Sequence, residues 1–366
     1  MPVHKPIRYA VVGLGHIAQV AVLPAFAHAR RNSKLVAVVS DDRLTRRELS
    51  KRYRLEHAFS YDQFEDCLNE VDAVYIALPN SMHAEYTVRA AKAGVHVLCE
   101  KPMAVTVREC RQMIDACRRA RVKLMIAYRL HFEPANMNAV DLAGSGKLGD
   151  IRIFNSVFSQ QDRAGDIRVR RKMGGGSLYD IGVYLINFAR YVFQDNPVEV
   201  QAMAIRGTDP RFREVDEMTG GLLRFPDERL ACFVCSFGAA DVSSYEVVGT
   251  KGRLQVDPAY EYVGELKQQL AMNGKARSRS FKRGDQFAAE LIYFSDCIRK
   301  NREPEPSGLE GMIDVQIIEA LYRSAKQGKA VKLSLPRKTL WPNLEQVIRR
   351  PPVRKPKVVR AASPTL

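Results

Sequence analysis

The stretch that decides the fold is YAVVGLGHIA, residues 9–18. Residues 9–12 form a short apolar run that fits a buried parallel strand, and Gly13 and Gly15 follow at the point where the strand would turn into a helix. Glycines there allow a tight turn and the close approach of a pyrophosphate to the helix N-terminus, and the small Ala18 lets helix and strand pack closely. On its own the pattern fits an ordinary strand-to-helix turn equally well, so its context decides.

That context is an alternation of apolar runs and helical patterns. We predict buried strands at 35–39, 73–78, 95–99 and 123–127, with helices at 21–30, 44–54, 84–93 and 107–120. Such alternation is typical of an α/β fold with a doubly wound parallel sheet, the Rossmann architecture, whose ligands bind at the carboxyl ends of the strands. The residues expected at those ends are Gly13, Ser40, Pro79, Lys101 and Tyr128.

The pattern changes near residue 150, where strand-like runs follow one another with few helices between them. They lie at 151–154, 198–202, 221–225, 231–235 and 245–248, and helical patterns follow at 286–299 and 309–327. We therefore predict a C-terminal α+β domain with a large, mostly antiparallel sheet. The predicted domains are 1–127 for dinucleotide binding, 128–336 for substrate binding and oligomerisation, and 337–366 as a basic, proline-containing tail. One face of the sheet is predicted to form the interface of a homo-oligomer, a dimer or a tetramer.

Composition excludes several classes of protein. The 366 residues are 46% hydrophobic, but no apolar stretch approaches the ~20 residues that a membrane span needs. The first residues lead directly into the first strand without room for a secretory signal, so a cytoplasmic location is expected. Seven cysteines are scattered, and the odd spacing of Cys232 and Cys235 in a strand sends their side chains to opposite faces. No metal site and no disulfide are predicted.

The net charge of +16 raises the question of nucleic-acid binding. Much of the excess lies in residues 337–360, where eight lysines and arginines face one acid, Glu345. No nucleic-acid module or aromatic stacking platform accompanies them. The sequence therefore favours an extended tail lying on a surface over a nucleic-acid arm.

Several motifs, in this order, resemble those of the glucose–fructose oxidoreductase family, the Gfo/Idh/MocA-type NAD(P)-dependent sugar oxidoreductases. They lie at 13–18, 78–85, 99–103, 174–184 and 308–312, and the resemblance runs from about residue 7 to residue 333. It implies an enzyme that acts on CH–OH groups of sugars. It also implies oxidation of an aldose at C1 to a lactone, with a tightly bound cofactor that is re-oxidised by a second sugar.

The resemblance implies three catalytic residues, Lys101, Asp180 and Tyr184. Lys101 would lie by the nicotinamide and the substrate hydroxyl, where a cation stabilises developing alkoxide charge. Tyr184 would be the acid/base group, where many relatives have histidine but the glucose–fructose oxidoreductase branch has tyrosine. A phenol, with an ordinary pKa near 10, needs a neighbouring cation for this role, which Lys101 would supply. Asp180 would position the sugar.

The resemblance also implies binding residues. Ile167 stands where the compared family member has a tryptophan against the dinucleotide, so one stacking contact is absent. Tyr128 and His131 fit core packing as well as they fit a binding role. The cofactor-binding set is Gly13, Gly15, His16, Ile17, Ala18, Ser40, Arg43, Leu78, Pro79, Asn80, His83, Glu100, Lys101, Arg129 and Arg168; the substrate-binding set is Lys101, Tyr128, His131, Asp180 and Tyr184.

The choice of cofactor depends on the end of the second strand. A carboxylate there would hold the ribose hydroxyls of NAD and repel the 2′-phosphate of NADP. The position is Ser40, followed by Asp41, Asp42 and Arg43. Serine with nearby arginines favours NADP, and NAD stays open because either aspartate can turn towards the ribose.

Two other functions stay open at this point. One is a simple sugar or polyol dehydrogenase whose cofactor exchanges freely. The other is a non-catalytic NAD(P)-binding regulator, since a galactose-pathway repressor uses the same fold. The presence of Lys101, Asp180 and Tyr184 favours an enzyme.

Overall fold

The computed structural model describes residues 5–366, and the chain forms two compact units. The first unit contains residues up to 129 together with 284–312 and 348–363; the second contains 130–283, 313–347 and 364–366. The segments at 284–312 and 348–363 thus group with the N-terminal part, whereas the sequence analysis placed them in the second domain and the tail. Hydrogen bonds explain this: the Asn32 side chain donates to the Ile292 carbonyl and to Asp296, and the Asp285 amide donates to the Arg350 carbonyl.

The first unit contains a six-stranded parallel sheet in the order β3-β2-β1-β4-β5-β6. This is the strand order of a doubly wound dinucleotide-binding sheet, and it confirms the predicted fold. The helix at 286–299, named α8 below, belongs to this unit. The strands are β1 (Ile7–Val12), β2 (Ser33–Val39), β3 (His57–Phe59), β4 (Ala73–Ile76), β5 (His96–Glu100) and β6 (Leu124–Ala127), and the helices between them are α1 (Leu23–Ala29), α2 (Arg43–Tyr53), α3 (Phe64–Leu68), α4 (His83–Lys92) and α5 (Val107–Ala120).

The register of this sheet brings the predicted strand ends to one edge. Val12 pairs with Val39 of β2 and with Ile76 of β4, so Gly13, Ser40 and Ala77 come next in line. Ile76 in turn pairs with Cys99, and Glu100 pairs with Ala127. The loops after all these strands therefore leave the sheet on the same side.

The second unit contains a nine-stranded sheet in the order β14-β13-β12-β11-β7-β10-β9-β8-β15. Only β7 and β10 pair in parallel, so the prediction of a mostly antiparallel sheet is confirmed. The strands are β7 (Ile151–Ser159), β8 (Glu199–Ile205), β9 (Met218–Phe225), β10 (Arg229–Ser236), β11 (Val242–Gly249), β12 (Gly252–Val256), β13 (Leu266–Met272), β14 (Lys275–Phe281) and β15 (Val331–Lys332), and the remaining helices of the chain are α6 (Pro134–Gly144), α7 (Val183–Phe193), α8 (Gln286–Arg299) and α9 (Gly308–Gln327).

The two faces of the second sheet differ. On one face the rings of Phe154 and Tyr245 pack with Phe188 of α7, whose centroid lies 4.5 Å from that of Tyr245. On the other face large apolar side chains stay accessible in four neighbouring strands, at Ile153, Val157, Met203, Leu222, Leu230 and Val234. Among residues 5–366, no helix is long and apolar enough to cross a membrane.

Candidate active site

The glycine turn after β1 has the geometry of a dinucleotide-binding loop. Gly13 has φ +92°, and a Cβ there would lie 2.5 Å from the Ala77 carbonyl oxygen, so no other residue fits. A Cβ on Gly15 would meet nothing within 4 Å, which leaves open space on its accessible side. The turn therefore fits the approach of a pyrophosphate to backbone N–H groups.

The helix that follows this turn begins with a wide π-helical turn, Ala18–Val22. Ala18 is buried, whereas His16 and Ile17 are partly accessible beside the glycines. The Gln19 side chain is buried and donates to the Leu14 carbonyl over 2.8 Å, which holds the turn in place.

The loop after β2 uses both of its carboxylates in protein contacts. The Asp41 Oδ1 atom accepts from the Tyr61 amide at 2.8 Å. Asp42 is the N-cap of α2, and its Oδ1 atom accepts from the Leu44 and Thr45 amides, each at 3.0 Å. These bonds orient the two carboxylates towards backbone amides, while Ser40 lies nearly buried at the strand end.

His83 connects two of the predicted cofactor loops. Its Nδ1 atom lies 2.9 Å from the Pro102 carbonyl oxygen and its Nε2 atom lies 2.9 Å from the Leu78 carbonyl oxygen, so the ring lies between the loop that contains Pro79 and Asn80 and the loop that contains Lys101. Burial lowers the pKa of His83, and the neighbouring backbone carbonyls oppose that shift. The structure thus gives His83 the role of holding these loops together.

A buried polar cluster lies at the end of β5. Glu100 accepts from the Tyr75 hydroxyl at 2.8 Å and from the Lys101 amide at 3.3 Å. Burial raises the pKa of Glu100, and the Lys101 charge opposes that rise. Arg129 is also buried and donates to Gln286 over 2.7 Å. Tyr128, its neighbour, is buried after β6.

Glu290 of α8 belongs to the same cluster, and no sequence motif predicted it. It is fully buried, and neither carboxyl oxygen has a hydrogen-bond partner among the described residues. Burial, followed by the charge of Glu100, raises its pKa well above the ordinary value. Nothing in the local sequence marks this glutamate, because its neighbours in the cluster come from distant parts of the chain.

In the second unit, Arg168 lies among three acids. Its Nε atom donates to Asp180 over 2.8 Å, and its Nη1 atom donates to Asp166 over 3.2 Å. The third acid, Asp162, is fully buried and accepts from the Gln160 side chain at 2.7 Å. Burial, followed by repulsion from Asp180, raises the pKa of Asp162 to about 8. No motif predicted Asp162 as a site residue, although the sequence places Asp162 and Asp166 shortly before Arg168.

Tyr184 and His131 have different surroundings within this unit. Tyr184 is 7% exposed, and its ring centroid lies 5.9 Å from that of Phe158 and 6.2 Å from that of Tyr260. His131 has no exposed surface, and its Nδ1 atom lies 2.9 Å from the Tyr191 hydroxyl oxygen. The predicted contacts of these residues with a sugar stay predictions, as does that of Arg168 with the cofactor.

No group of three or more His, Cys, Asp or Glu side chains is arranged to hold a metal ion in the part of the chain that the structure describes. All seven cysteines there are free thiols. Cys235 is buried, and Cys232 donates from its partly accessible face to Asn155 over 2.6 Å.

Two family models match the chain. One, described as an oxidoreductase family with an NAD-binding Rossmann fold, covers residues 7–128. The other, described as the GFO/IDH/MocA C-terminal domain, covers residues 137–255.

Individual relatives resemble most of the chain. A D-xylose 1-dehydrogenase [NADP(+)] of Haloarcula marismortui is 30% identical over 90% of this chain and 94% of its own length. The crystal structure of an aldose-aldose oxidoreductase from Caulobacter crescentus with glycerol is 38% identical, with a TM-score of 0.86 over 90% of this chain and all of that one. A 3-ketoreductase from Actinomadura kijaniata, solved with NADP and TDP-benzene, is 26% identical, with a TM-score of 0.80 over 87% of this chain and 98% of its own.

Proposed function

Because the chain belongs to the Gfo/Idh/MocA oxidoreductase family, we propose that it is an NADP-dependent sugar oxidoreductase that oxidises an aldose at C1 to a lactone. The family prediction and the prediction of an NAD(P)-dependent enzyme are confirmed by these matches. The observation that carries the proposed reaction is the 38% identity, over 90% of the chain, to an enzyme named for aldoses on both sides of its reaction.

NADP is the cofactor that the relatives and the loop after β2 both support. The relatives from Haloarcula marismortui and Haloferax volcanii are named as NADP(+) enzymes, and the Actinomadura reductase was solved with NADP, which confirms the prediction. In this chain Asp41 and Asp42 are engaged by backbone amides, so neither is free to turn towards a ribose without breaking those bonds. Ser40, which carries no charge to repel a 2′-phosphate, occupies the strand end.

The dinucleotide would be held by the turn of Gly13 and Gly15, by the Ser40 loop and by the loop of Leu78 and Pro79. When bound, the nicotinamide takes up the hydride that leaves C1 of the sugar. Tyr184 takes the proton of the C1 hydroxyl, so that one hydride and one proton leave and the C1–O bond becomes the lactone carbonyl. Lys101 stabilises the negative charge that develops on that oxygen, and Asp180 accepts a hydrogen bond from a sugar hydroxyl.

The Arg168–Asp180 contact supports the role given to Asp180. A guanidinium at 2.8 Å stabilises the ionised carboxylate, and an ionised carboxylate accepts hydrogen bonds from sugar hydroxyls. The side chain of Asp180 is 15% exposed, so it retains a surface that a ligand can reach.

We further propose that the cofactor stays bound and that a second sugar re-oxidises it. In that second half the hydride returns to the carbonyl carbon of the second sugar and Tyr184 returns the proton, so both half-reactions balance. The alternative is a simple dehydrogenase that releases its reduced cofactor after each turnover. The names of the two xylose dehydrogenases favour this alternative.

One experiment separates these possibilities. Freshly purified, desalted protein is denatured, and the released nucleotide is identified by chromatography; we expect NADP(H) in stoichiometric amount. Glucose or xylose added to the intact protein should produce the near-ultraviolet absorbance of reduced nicotinamide, and a second aldose should remove it. Protein that is empty after desalting and turns over only with added NADP is a simple dehydrogenase. Absence of any reaction with aldoses contradicts the proposed substrate class.

The accessible face of the second sheet is proposed to bind a second copy of the chain. Ile153 pairs with Leu230, and Val157 pairs with Val234, so their side chains share one face of neighbouring strands. They are 37–41% exposed, and an accessible face with neighbouring apolar side chains is suited to pairing with itself about a two-fold axis. Val234→Glu should convert the oligomer to monomers in sedimentation velocity, whereas Val263→Glu, at an exposed apolar residue outside the strands of that face, should not.

A further inference from the structure

The C-terminal segment of the first unit runs along the cofactor-binding side of the Rossmann fold. Its residues 357–361 follow helix α2 from end to end: the Lys357 carbonyl accepts from Arg52 at 2.6 Å near the C-terminus of α2, and Arg360 reaches the N-cap of the helix. Ala361 then approaches the glycine turn, where its carbonyl oxygen lies 3.4 Å from His16 Nδ1. We call residues 357–361 the tail strand.

The tail strand is attached by a paired contact to the helix that follows the glycine turn. The Val359 amide donates to Gln19 Oε1 over 2.8 Å, and Gln19 Nε2 donates to the Val359 carbonyl over 2.9 Å. The same Nε2 atom donates to the Leu14 carbonyl inside the glycine turn. Because the Gln19 amide is buried, losing these bonds would leave polar groups unpaired, so the tail strand and the turn are held as one structure.

Arg360 contacts the loop after β2, the loop that in a dinucleotide-binding fold lies beside the adenosine ribose. Its Nη1 atom lies 3.3 Å from Asp42 Oδ2, and its charge contributes to lowering the pKa of Asp42, after the hydrogen bond from the Thr45 amide. It therefore offsets the negative charge of an aspartate two residues after Ser40. The side chain is 61% exposed, so the guanidinium keeps donors for a ligand.

We propose that the tail strand forms one wall of the NADP site and that Arg360 recognises the 2′-phosphate. This inference rests on the proposed NADP specificity. Arg360 contacts the Asp42 loop, and Ala361 contacts His16 in the glycine turn. In this fold these two loops bind the ribose and the pyrophosphate, respectively. Arginine binds phosphate through several donors at once, and here it comes from a segment more than 300 residues away from the loop that it completes.

The test measures binding of NADPH and NADH to the full chain by nicotinamide fluorescence, without any sugar, after the bound nucleotide has been removed by unfolding in urea and refolding. Arg360 has φ +48°, so the informative variant is Arg360→Asn, since asparagine adopts this backbone conformation well and carries no charge. We expect Arg360→Asn to weaken NADPH binding about tenfold and NADH binding less than about twofold. Arg360→Lys should retain most of the preference for NADPH.

The matched control is Lys355→Asn, which removes another exposed tail cation and should change both affinities less than about twofold. Truncation after Pro356 removes the whole tail strand and should speed dissociation of both nucleotides. Far-ultraviolet circular dichroism and thermal melts verify that each variant is folded.

Equal losses of NADPH and NADH affinity in Arg360→Asn, or no loss of either, would overturn the assignment of Arg360. Tighter binding of both nucleotides after truncation would show that the tail strand obstructs the site, and would overturn the proposal as a whole. A natural chain that prefers NADH contradicts the proposed NADP specificity itself, which separates failure of that function from failure of this inference.

Discussion

Glu290 is expected to hold a proton in the folded protein, and its replacement by glutamine tests this. An acid whose pKa is higher in the folded than in the unfolded chain makes the protein less stable as the pH rises. The loss begins at the pKa of the unfolded chain, here about 4.5, and ends at the pKa of the folded protein. Within that window the folded protein must keep a proton that the unfolded chain releases. The free energy of unfolding of the natural chain should therefore fall, for this residue, by about 1.4 kcal/mol per pH unit.

Glu290→Gln keeps the shape of a protonated carboxyl and abolishes the titration. Its free energy of unfolding, compared with that of the natural chain, should thus rise by about 1.4 kcal/mol from pH 5.5 to pH 6.5. The groups that face Glu290 and contribute to its pKa, namely Glu100, Arg129, Asp285 and the Tyr75 hydroxyl, are the same in both proteins and cancel in the difference.

Urea unfolding followed by circular dichroism at both pH values measures this difference. The control is Glu56→Gln, because the pKa of the exposed Glu56 is lowered by its hydrogen bond with Lys34, so its removal should produce no such rise. If the stability of Glu290→Gln and of the natural chain changes in parallel with pH, then Glu290 is ionised in the folded state and the reasoning fails.

Three further predictions concern other parts of the molecule. Tyr184→Phe should leave nucleotide bound but lower turnover by roughly 10²–10⁴-fold, measured as sugar-dependent reduction of the cofactor; a near-normal rate would move the proton transfer to another group. Ser40→Asp should weaken NADP binding by about 1–3 kcal/mol through repulsion of the 2′-phosphate and affect NAD much less, as titration calorimetry of nucleotide-free protein with both cofactors would reveal. Asp314→Ala removes the fully buried partner of Arg190, 2.5 Å away, and should destabilise the second unit by about 3–5 kcal/mol in urea unfolding monitored at Trp341.

The parallel sheet was predictable because its strands are buried on both faces and therefore appear as continuous apolar runs. Residues 9–12 and 73–76 have no accessible side chains in the structure, as their composition indicates. The short strand β3 and the hairpin of β13 and β14 escaped prediction for the opposite reason. β14 is exposed along most of its length and reads KARSRSF, which carries no apolar alternation.

The position of the last 20 residues escaped prediction for another reason. The contact between Val359 and Gln19 joins residues 340 positions apart through backbone groups and one amide, and such contacts leave no periodic pattern in the sequence. Basic composition indicated an extended tail lying on a surface but not the place where it binds, and residues such as Lys355 and Lys357 are exposed. The main chain of their neighbour Val359 is hydrogen-bonded to Gln19, and amino-acid composition carries no information about such a main-chain contact.

The two acids that the motifs did not reveal, Glu290 and Asp162, follow one physical rule in their separate units. Each lies beside charged groups that already pair, Glu100 with Lys101 in one unit and Asp180 with Arg168 in the other. In the second unit one guanidinium faces Asp162, Asp166 and Asp180, so three ionised carboxylates would exceed its charge. Burial makes that excess costly, and the group without solvent contact, Asp162, takes up the proton. Arg168 thereby remains available to Asp166 and Asp180, and a proton on Asp162 removes the negative charge that would repel the proposed sugar-binding carboxylate of Asp180.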